Sequence, residues 1–222
     1  MSTLPVANFH GLGTPPIPIE DDERPYWLSQ EQYAEALARL RASRQPFLIT
    51  FDDGNLSDVE IGLPALQAGE RAIVFACSDR TGREGYLAAN ELRNIARMEN
   101  ITLGSHGAAH ASWRTADSGE RAREIADSRK ALEDVAGVPV RDAGIPFGDY
   151  DGSVLKSISA AGYTSAYSSD GGPRLSGASP IPRLSLRGDR PIAEQVDALI
   201  AACAPLRRAR QEAKLRAKVL LK

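Results

Sequence analysis

Short apolar segments alternate with longer amphipathic segments along most of this 222-residue chain, and no other feature restricts the fold as much. The apolar runs are continuous, which is typical of strands that a parallel sheet buries on both faces. The predicted strands are 47–51, 71–77, 101–105 and segments near 140–145, 164–168 and 181–186. The predicted helices are 29–41, 58–67, 88–99, 118–137 and 152–161. This order favours an α/β fold, specifically a distorted, incomplete (β/α) barrel with about seven parallel strands.

The chain is expected to form one main domain with two atypical ends. Residues 1–27 are rich in proline and glycine and lack periodicity, so they are predicted to form an extended arm. No linker-like segment divides the middle, and residues 1–206 are therefore predicted to form one domain. Residues 207–222 hold seven basic residues and one glutamate, which predicts a basic helix. Its thin apolar stripe could touch a membrane surface, although a solvated helix is favoured.

The charge and the apolar pattern argue against several classes of protein. A formal net charge of −2 gives no basis for binding nucleic acid. No apolar run approaches the ~20 residues that a transmembrane helix needs. The first residues lack the basic and apolar regions of a secretory signal, so a cytoplasmic location is expected if the N-terminus is native.

Two adjacent carboxylates, Asp52 and Asp53, follow the first strong predicted strand in Thr50-Phe-Asp-Asp-Gly54. Functional side chains collect at the carboxyl ends of strands in parallel α/β folds. Adjacent carboxylates repel each other, and a cation bound to one of them offsets the repulsion while the other stays free as a base. A solvated Asp-Asp-Gly turn is the alternative, and this pair alone does not decide between the two.

His106 and His110 follow the predicted strand 101–105, and they are two of the three histidines in the chain. Histidines four residues apart lie on the same face of a helical turn and can share one metal ion. One aspartate and two histidines form a known Zn²⁺ ligand set that leaves a position open for water. Bound metal lowers the pKa of that water toward ~7. The two segments together predict a hydrolytic site with one divalent ion, with metal-bound water as nucleophile and the second aspartate as proton acceptor.

In this order, about fifty residues apart, the two segments resemble the first two motifs of the polysaccharide deacetylase family, the NodB-homology domain. Ile145-Pro-Phe-Gly-Asp-Tyr150 matches part of a third motif. The resemblance covers roughly residues 5–200. It implies a distorted (β/α) barrel that removes N- or O-acetyl groups from sugars.

By position in these motifs, the resemblance implies that Asp52 is the general base and that Asp53, His106 and His110 bind the metal. Zn²⁺ is favoured, with Co²⁺, Ni²⁺ or Mn²⁺ as alternatives, because N/O sites accept several divalent ions. The backbone N–H of Phe147 would face the oxyanion of the tetrahedral intermediate. Such a donor typically lowers the barrier by ~2.7–4 kcal/mol.

Three positions depart from the family's pattern. Gly107 stands where a serine or threonine usually makes a hydrogen bond that stabilises the loop. Gly144 stands where many members have an arginine that orients the base, so Asp52 needs another cation, and Arg183 from another strand is the candidate. No histidine follows His110, although most members have a late histidine as general acid.

The third histidine, His10, offers a different acid. The chain resembles the branch of poly-N-acetylglucosamine deacetylases, in which an aromatic-His pair near the N-terminus does this work. Phe9-His10, followed by Tyr26-Trp-Leu-Ser, matches that arrangement. An unperturbed histidine pKa near ~6.5 suits an acid that protonates the leaving amine. The alternative is an exposed histidine in a flexible arm.

Substrate contacts are expected from aromatic residues, because their large apolar faces can stack on sugar rings. Trp113 and Tyr150 are the candidates, with Pro146 of the third motif beside them, and ordinary packing is the alternative. Tyr26 and Trp27 are expected to dock the arm onto the body of the protein.

Three functions stay open on this basis. The first is removal of acetyl or formyl groups from a sugar, glycan or lipid-linked saccharide, and a cytoplasmic location would favour a small or lipid-linked substrate. The second is opening of a cyclic amide, which metal-free relatives of the fold perform and the intact Asp-His-His set argues against. The third is a sugar-binding protein with impaired catalysis, which the missing arginine and late histidine support.

Overall fold

Parallel strands form the centre of the protein. The structure, a computed structural model, describes residues 4–173, 179–204, 213, 217 and 218. Within these residues the strands are, in chain order, β1 (Val6–Phe9), β2 (Gly11–Leu12), β3 (Trp27–Leu28), β4 (Leu48–Phe51), β5 (Ala72–Ala76), β6 (Ile101–Ser105), β7 (Asp142–Gly144), β8 (Ser165–Ser168), β9 (Ile181–Pro182) and β10 (Leu184–Ser185). The α-helices are α1 (Gln30–Ala42), α2 (Ala89–Ile95), α3 (Ser118–Ala122), α4 (Ser128–Ala136), α5 (Gly152–Ala160) and α6 (Ile192–Ala201).

Eight of the described strands pair in parallel, in the order β10-β1-β4-β5-β6-β7-β8-β9, while β2 and β3 form a separate pair. The strands at the two ends of this order, β9 and β10, are separated in the chain by Arg183 alone. The sheet therefore curves into a nearly closed barrel. The predicted distorted (β/α) barrel is confirmed, with eight strands in the described sheet where the sequence predicts about seven.

The barrel has an apolar interior and an apolar layer outside it, as a sheet covered by helices requires. The buried interior cluster consists of Val6, Leu48, Ile73, Phe75, Tyr167 and Ile181. The larger cluster lies between the sheet and the helices, where it includes side chains such as Leu37 of α1 and Leu199 of α6. Because strands contribute to both layers, both faces of the central strands are buried, which explains their continuous apolar sequences.

The prediction of an extended arm over residues 1–27 is wrong for its first part. Val6–Phe9 is β1, an entirely buried strand between β4 and β10 in the main sheet. Gly11–Leu12 then pairs with Trp27–Leu28. Four residues are too few for strand periodicity to show in the sequence, and the strand forms because neighbours on both sides accept its backbone hydrogen bonds.

Most of the predicted helices are present, with three differences. The predicted helix 29–41 is α1, which Ser29 caps in a capping box with Gln32. The predicted helix 118–137 ends at Gly137 in the left-handed conformation, but it is interrupted by a π-helical turn, Arg123–Asp127. The predicted helix 58–67 is a π-helical turn followed by a 3₁₀ turn. The sequence analysis does not predict α6, which packs against α1.

The predicted basic helix, residues 207–222, lies largely outside the described residues, so its membrane contact stays a prediction. Of this segment the structure describes residues 213, 217 and 218, and Lys218 Nζ lies 2.6 Å from Asp170 Oδ1 and 3.0 Å from the carbonyl oxygen of Gly148. Within the described part of the chain, no helix has the length and apolar character that crossing a membrane requires.

Candidate active site

The predicted site residues gather at one end of the barrel, where the chain leaves the carboxyl ends of the strands. They come from separate strands: β1 precedes His10, β4 precedes Asp52, and β6 precedes His106. Together they line a cavity of about 720 Å³. The predicted residues on its wall are His10, Asp52, Asp53, His106, His110 and Phe147.

Asp52 is buried at the start of its turn, and both of its carboxylate oxygens accept hydrogen bonds. Its Oδ2 accepts a hydrogen bond from Asn8 Nδ2 at 2.9 Å, and the Arg183 guanidinium donates to Oδ1 at 2.6 Å and to Oδ2 at 2.9 Å. Burial favours the neutral acid, but the charges of Arg183, His106 and His10 outweigh it and hold the pKa of Asp52 well below its usual range. Asp52 is therefore ionised in the folded protein.

Arg183 supplies the positive charge beside Asp52 that an arginine at position 144, here Gly144, would otherwise supply. Its side chain is completely buried, it also donates to Asn8 Oδ1 at 3.0 Å, and it lies over the ring of Phe75. A two-pronged contact of this kind fixes the orientation of a carboxylate as well as its charge. Gly144 leaves no room for an arginine, because a Cβ there would lie 2.9 Å from Phe75 Cγ and 3.0 Å from His106 Nδ1.

Asp53 points away from this pair, toward the two histidines. Its backbone adopts the left-handed conformation, with φ at 75°, which turns the two adjacent carboxylates in different directions. Its Oδ1 is buried without a hydrogen-bond partner and lies 3.4 Å from His110 Nε2 and 3.9 Å from His106 Nε2. Burial opposes its ionisation, yet His110, His10, His106 and Arg80 lower the pKa of Asp53.

The two histidines present Nε2 to the same point. His106 Nδ1 lies 2.8 Å from the carbonyl oxygen of Gly144, to which it can only donate, and its Nε2 lies 3.7 Å from Asp52 Oδ2 and 3.9 Å from Asp53 Oδ1. The His110 ring packs 4.9 Å from the His106 ring, and burial lowers the pKa of His110 to about 4. The neutral imidazole is the form of histidine that binds metal.

The residues present fit a divalent metal ion. One ligand atom from each of Asp53, His106 and His110 can be chosen so that all lie within 4.8 Å of one another. Ligands at about 2.1 Å from a tetrahedral ion are separated by roughly 3.4 Å, close to the distances from Asp53 Oδ1 to the imidazole nitrogens. A buried carboxylate oxygen that faces two imidazole nitrogens is an arrangement that a cation would complete.

His10 lies beside Asp52 and not at the end of a mobile arm. Its Nε2 is 3.9 Å from Asp52 Oδ2, its side chain is 20% exposed to the cavity, and its ring packs 5.0 Å from the ring of Tyr26. Burial lowers the pKa of His10, while Asp52 and Asp53 oppose that effect. Both predicted proton-transfer groups therefore face the same space.

Phe147, in the third motif, has a strained backbone and lies beside the candidate metal-binding residue His110. Its φ of 57° is left-handed, which is uncommon for a bulky residue, and a hydrogen bond from the Gly148 N–H to the Ile145 carbonyl closes the turn around it. The Phe147 ring is 65% exposed and lies 4.5 Å from the ring of His110. An exposed aromatic face at the cavity is available to a sugar ring.

The predicted stacking by Trp113 and Tyr150 is wrong. Both side chains are completely buried, and neither lines the cavity. Trp113 packs behind the histidine loop, and the Tyr150 hydroxyl donates to Asp170. Pro146 is buried as well and does not line the cavity. Position in the sequence next to a motif does not reveal the direction of a side chain, which packing decides.

The aromatic residues that line the cavity, besides Phe147, are Tyr26, Trp27 and Tyr86. The sequence analysis expects Tyr26 and Trp27 to dock the arm, and Trp27 does so through its backbone pairing with Gly11, but both also form part of the wall. Segment 16–23 adds apolar and acidic residues to the same wall.

Arg80 is a site residue that the sequence analysis does not identify. Its Nη1 lies 3.2 Å from Asp53 Oδ1, and its guanidinium stacks over the ring of Tyr86. Arg80 follows the carboxyl end of β5, so applying the strand-end rule to that strand as well would have found it.

Comparison with known proteins places this geometry in a family. The sequence profile described as Polysaccharide deacetylase matches residues 40–166, more than half of the chain. This range contains both motifs and Phe147, but it excludes His10 and Arg183. The protein YxkH of Bacillus subtilis (strain 168), named as a polysaccharide deacetylase, is 25% identical in an alignment of 174 residues that covers 72% of this chain. The match spans 62% of YxkH, less than two thirds of its length.

Two solved structures share the fold at low sequence identity. BC0361, a polysaccharide deacetylase from Bacillus cereus, superposes with a TM-score of 0.75 at 18% identity, covering 90% of this chain and 69% of that one. IcaB from Ammonifex degensii superposes with a TM-score of 0.69 at 18% identity, covering 90% of this chain and 97% of that one.

Proposed function

This chain belongs to the polysaccharide deacetylase family, as its motifs predict, and we propose that it is a metal-dependent hydrolase of acylated amino sugars. The substrate would be an amino sugar, a glycan or a lipid-linked saccharide that carries an N-acetyl or related acyl group. Residues 1–206 would act as one catalytic domain. Zn²⁺ is the favoured ion, and the cytoplasmic location stays a prediction.

One observation carries this proposal. A carboxylate paired with a buried arginine and a separate Asp-His-His cluster face the same cavity, at adjacent positions of one turn. A sugar-binding protein needs neither a base held ionised against burial nor a cluster of metal-ligating side chains beside it. Metal-assisted amide hydrolysis uses both, because water must lose a proton while the carbonyl is polarised.

A divalent ion held by Asp53, His106 and His110 would supply a Lewis acid that acidifies water and polarises the acyl carbonyl. Asp52 Oδ2 accepts the proton of the attacking water, and Arg183 keeps that oxygen oriented toward the cavity. The backbone N–H of Phe147 donates to the oxyanion that develops on the acyl oxygen. The hydrogen bonds from Arg183 to Asp52 and the position of Phe147 beside His110 support these roles.

His10 would complete the reaction by protonating the leaving nitrogen as the C–N bond breaks. Because Asp52 is a weak base, it readily passes on a proton that it has accepted. His10 Nε2 lies 3.9 Å from Asp52 Oδ2, within reach through a small movement or one water molecule. The lowered pKa of His10 makes its protonated form a stronger acid toward the amine.

Removal of metal gives the most direct test of the proposed activity. We expect acetate to be released from N-acetylglucosamine oligomers, a chelator to stop the release, and Zn²⁺ or Co²⁺ to restore it, with about one ion bound per chain. Mg²⁺ is the control, because it prefers an all-oxygen octahedral site and should not restore activity.

The same assay separates the alternatives. Hydrolysis of a cyclic amide by metal-free protein would replace the proposal with the ring-opening function. If metal-loaded protein hydrolyses none of the N-acetyl or N-formyl sugars, a sugar-binding protein becomes the better interpretation, and binding of the same oligomers would support it.

Replacement of His10 by alanine tests the proton-transfer half of the site. We expect kcat on an N-acetyl sugar to fall by about 10²–10⁴, with metal content unchanged, because the amine must be protonated as it leaves. An acetate ester of a nitrophenol is the control substrate, since its leaving group departs as a stable anion and should lose much less rate. Full activity of His10→Ala on the amide would contradict the assignment.

A further inference from the structure

A side chain from the next helical segment of the chain forms hydrogen bonds to the loop between the two motif histidines. Glu124 is 2% exposed, and its carboxylate accepts hydrogen bonds from the backbone N–H groups of Ala108 (3.0 Å, to Oε2) and Ala109 (2.9 Å, to Oε1). These residues lie between His106 and His110. One carboxylate therefore fixes two consecutive peptide units in the middle of the metal-binding segment.

Gly107 and Glu124 are fitted to each other. Gly107 has a left-handed φ of 90°, and a Cβ there would lie 2.5 Å from Glu124 Oε2. A serine or threonine at this position would be strained by the left-handed φ and would have to displace the Glu124 carboxylate. Glu124 occupies that space and supplies hydrogen bonds that the loop would otherwise lack.

The helical segment formed by α3 and α4 is distorted at Glu124. Glu124 lies in the π-helical turn Arg123–Asp127, where Glu124 and Ile125 are both buried. Consecutive residues of an α-helix project about 100° apart, so a narrow helix face rarely buries two neighbours in sequence. A π-helical turn widens the buried face, and both Glu124 and Ile125 lie on it. Burying a carboxylate is costly unless its acceptors are used, and here both oxygens accept from the loop.

The rest of the loop backbone is also fixed. The Gly107 N–H donates to Ser105 Oγ at 3.2 Å, and the carbonyls of Gly107 and Ala108 accept from the N–H groups of Ser78 and Asp79. One side of the loop is therefore hydrogen-bonded to the segment after β5, and the opposite side is hydrogen-bonded to Glu124. His110 follows this loop and also has a left-handed φ, of 63°. Its side chain faces Asp53.

We propose that Glu124 is a positioning residue for the metal site: it replaces the missing serine or threonine hydrogen bond and holds His106 and His110 at the spacing that one ion requires. This inference rests on the proposed metal site. Groups that orient ligands from outside typically contribute 10–100-fold to metal affinity.

Glu124→Gln tests this role with little change in volume. The amide keeps one acceptor and turns an N–H₂ donor toward a backbone N–H, so one clamp bond is lost. We expect the Kd for Zn²⁺, measured by competition with a chromophoric chelator, to rise about 10–100-fold. The visible spectrum of the Co²⁺-loaded protein should also shift, because the ligands are less well oriented.

Glu133→Gln is the matched control. Glu133 lies on α4, where it also accepts a backbone N–H, that of Val140 at 2.9 Å, but it does not contact the histidine loop. It should leave the Zn²⁺ Kd unchanged even if stability falls. Equal affinity in Glu124→Gln and the unaltered protein would overturn the role of Glu124 alone. Failure of the unaltered protein to bind Zn²⁺ or Co²⁺ would overturn the metal site and this inference with it.

Discussion

Asp52→Asn should lower kcat on an N-acetyl sugar by about 10²–10⁴ while the protein keeps its metal. The amide cannot accept the proton of the attacking water. Its oxygen still accepts from Arg183, so the fold should persist. The rate is measured with substrate at saturation, and metal content is measured on the same sample.

Asp53→Asn is the matched comparison, because it makes the same chemical change one residue along the chain. It should lose metal affinity, since Asp53 Oδ1 faces both histidines, whereas Asp52 Oδ2 faces His10 and Asn8 as well. Loss of metal to the same extent in both variants would show that the two aspartates do not divide the roles as proposed.

Arg183→Met should destabilise the protein by about 3–5 kcal/mol at neutral pH, because it leaves the buried Asp52 charge without its partner. The pKa of Asp52 is lowered in the folded state, so the ion pair stabilises the protein above the unfolded pKa of ~3.9 and loses this effect as pH falls through the folded value. Urea unfolding should therefore show a difference between the two proteins that is largest at neutral pH and shrinks in acid.

The same substitution should change the pH dependence of catalysis. Without Arg183 the effect of burial dominates and raises the pKa of Asp52, so the acidic limb of the kcat/KM profile should move to higher pH. Arg187→Met is the control, because Arg187 lines the same cavity but pairs with the half-exposed Asp189. It should leave the acidic limb in place. An unshifted limb in Arg183→Met would contradict the proposed role of Arg183 in setting the base.

The metal half of the site could be predicted from local sequence because its information is local. The ligand types, their spacing and their position after apolar strands are all readable within a few residues of Asp53, His106 and His110. The family profile covers this half as well. His10 and Arg183 lie outside the profile, and they could be suggested only because the usual groups are missing.

Side-chain direction explains the errors. Trp113 and Tyr150 were expected at the cavity because they follow motif residues, yet both are buried, while Tyr86 and Arg80 line it without any motif. A glutamate in an amphipathic helix is expected to face solvent, but Glu124 lies in a π-helical turn and is buried. Such choices depend on which surfaces meet, and the spacing of residues along the chain does not contain them.

The sequence by itself determined the alternation of strands and helices and the candidate Asp-His-His cluster, because periodicity and short spacing follow from local backbone geometry. Only the tertiary structure decided that Val6–Phe9 is a central strand, that Arg183 meets Asp52 across 131 residues, and that Glu124 holds the histidine loop. These contacts form where the barrel nearly closes and where a helix packs on the sheet. Closure and packing bring distant segments together, and their energies depend on the complete set of neighbours, which no short stretch of sequence specifies.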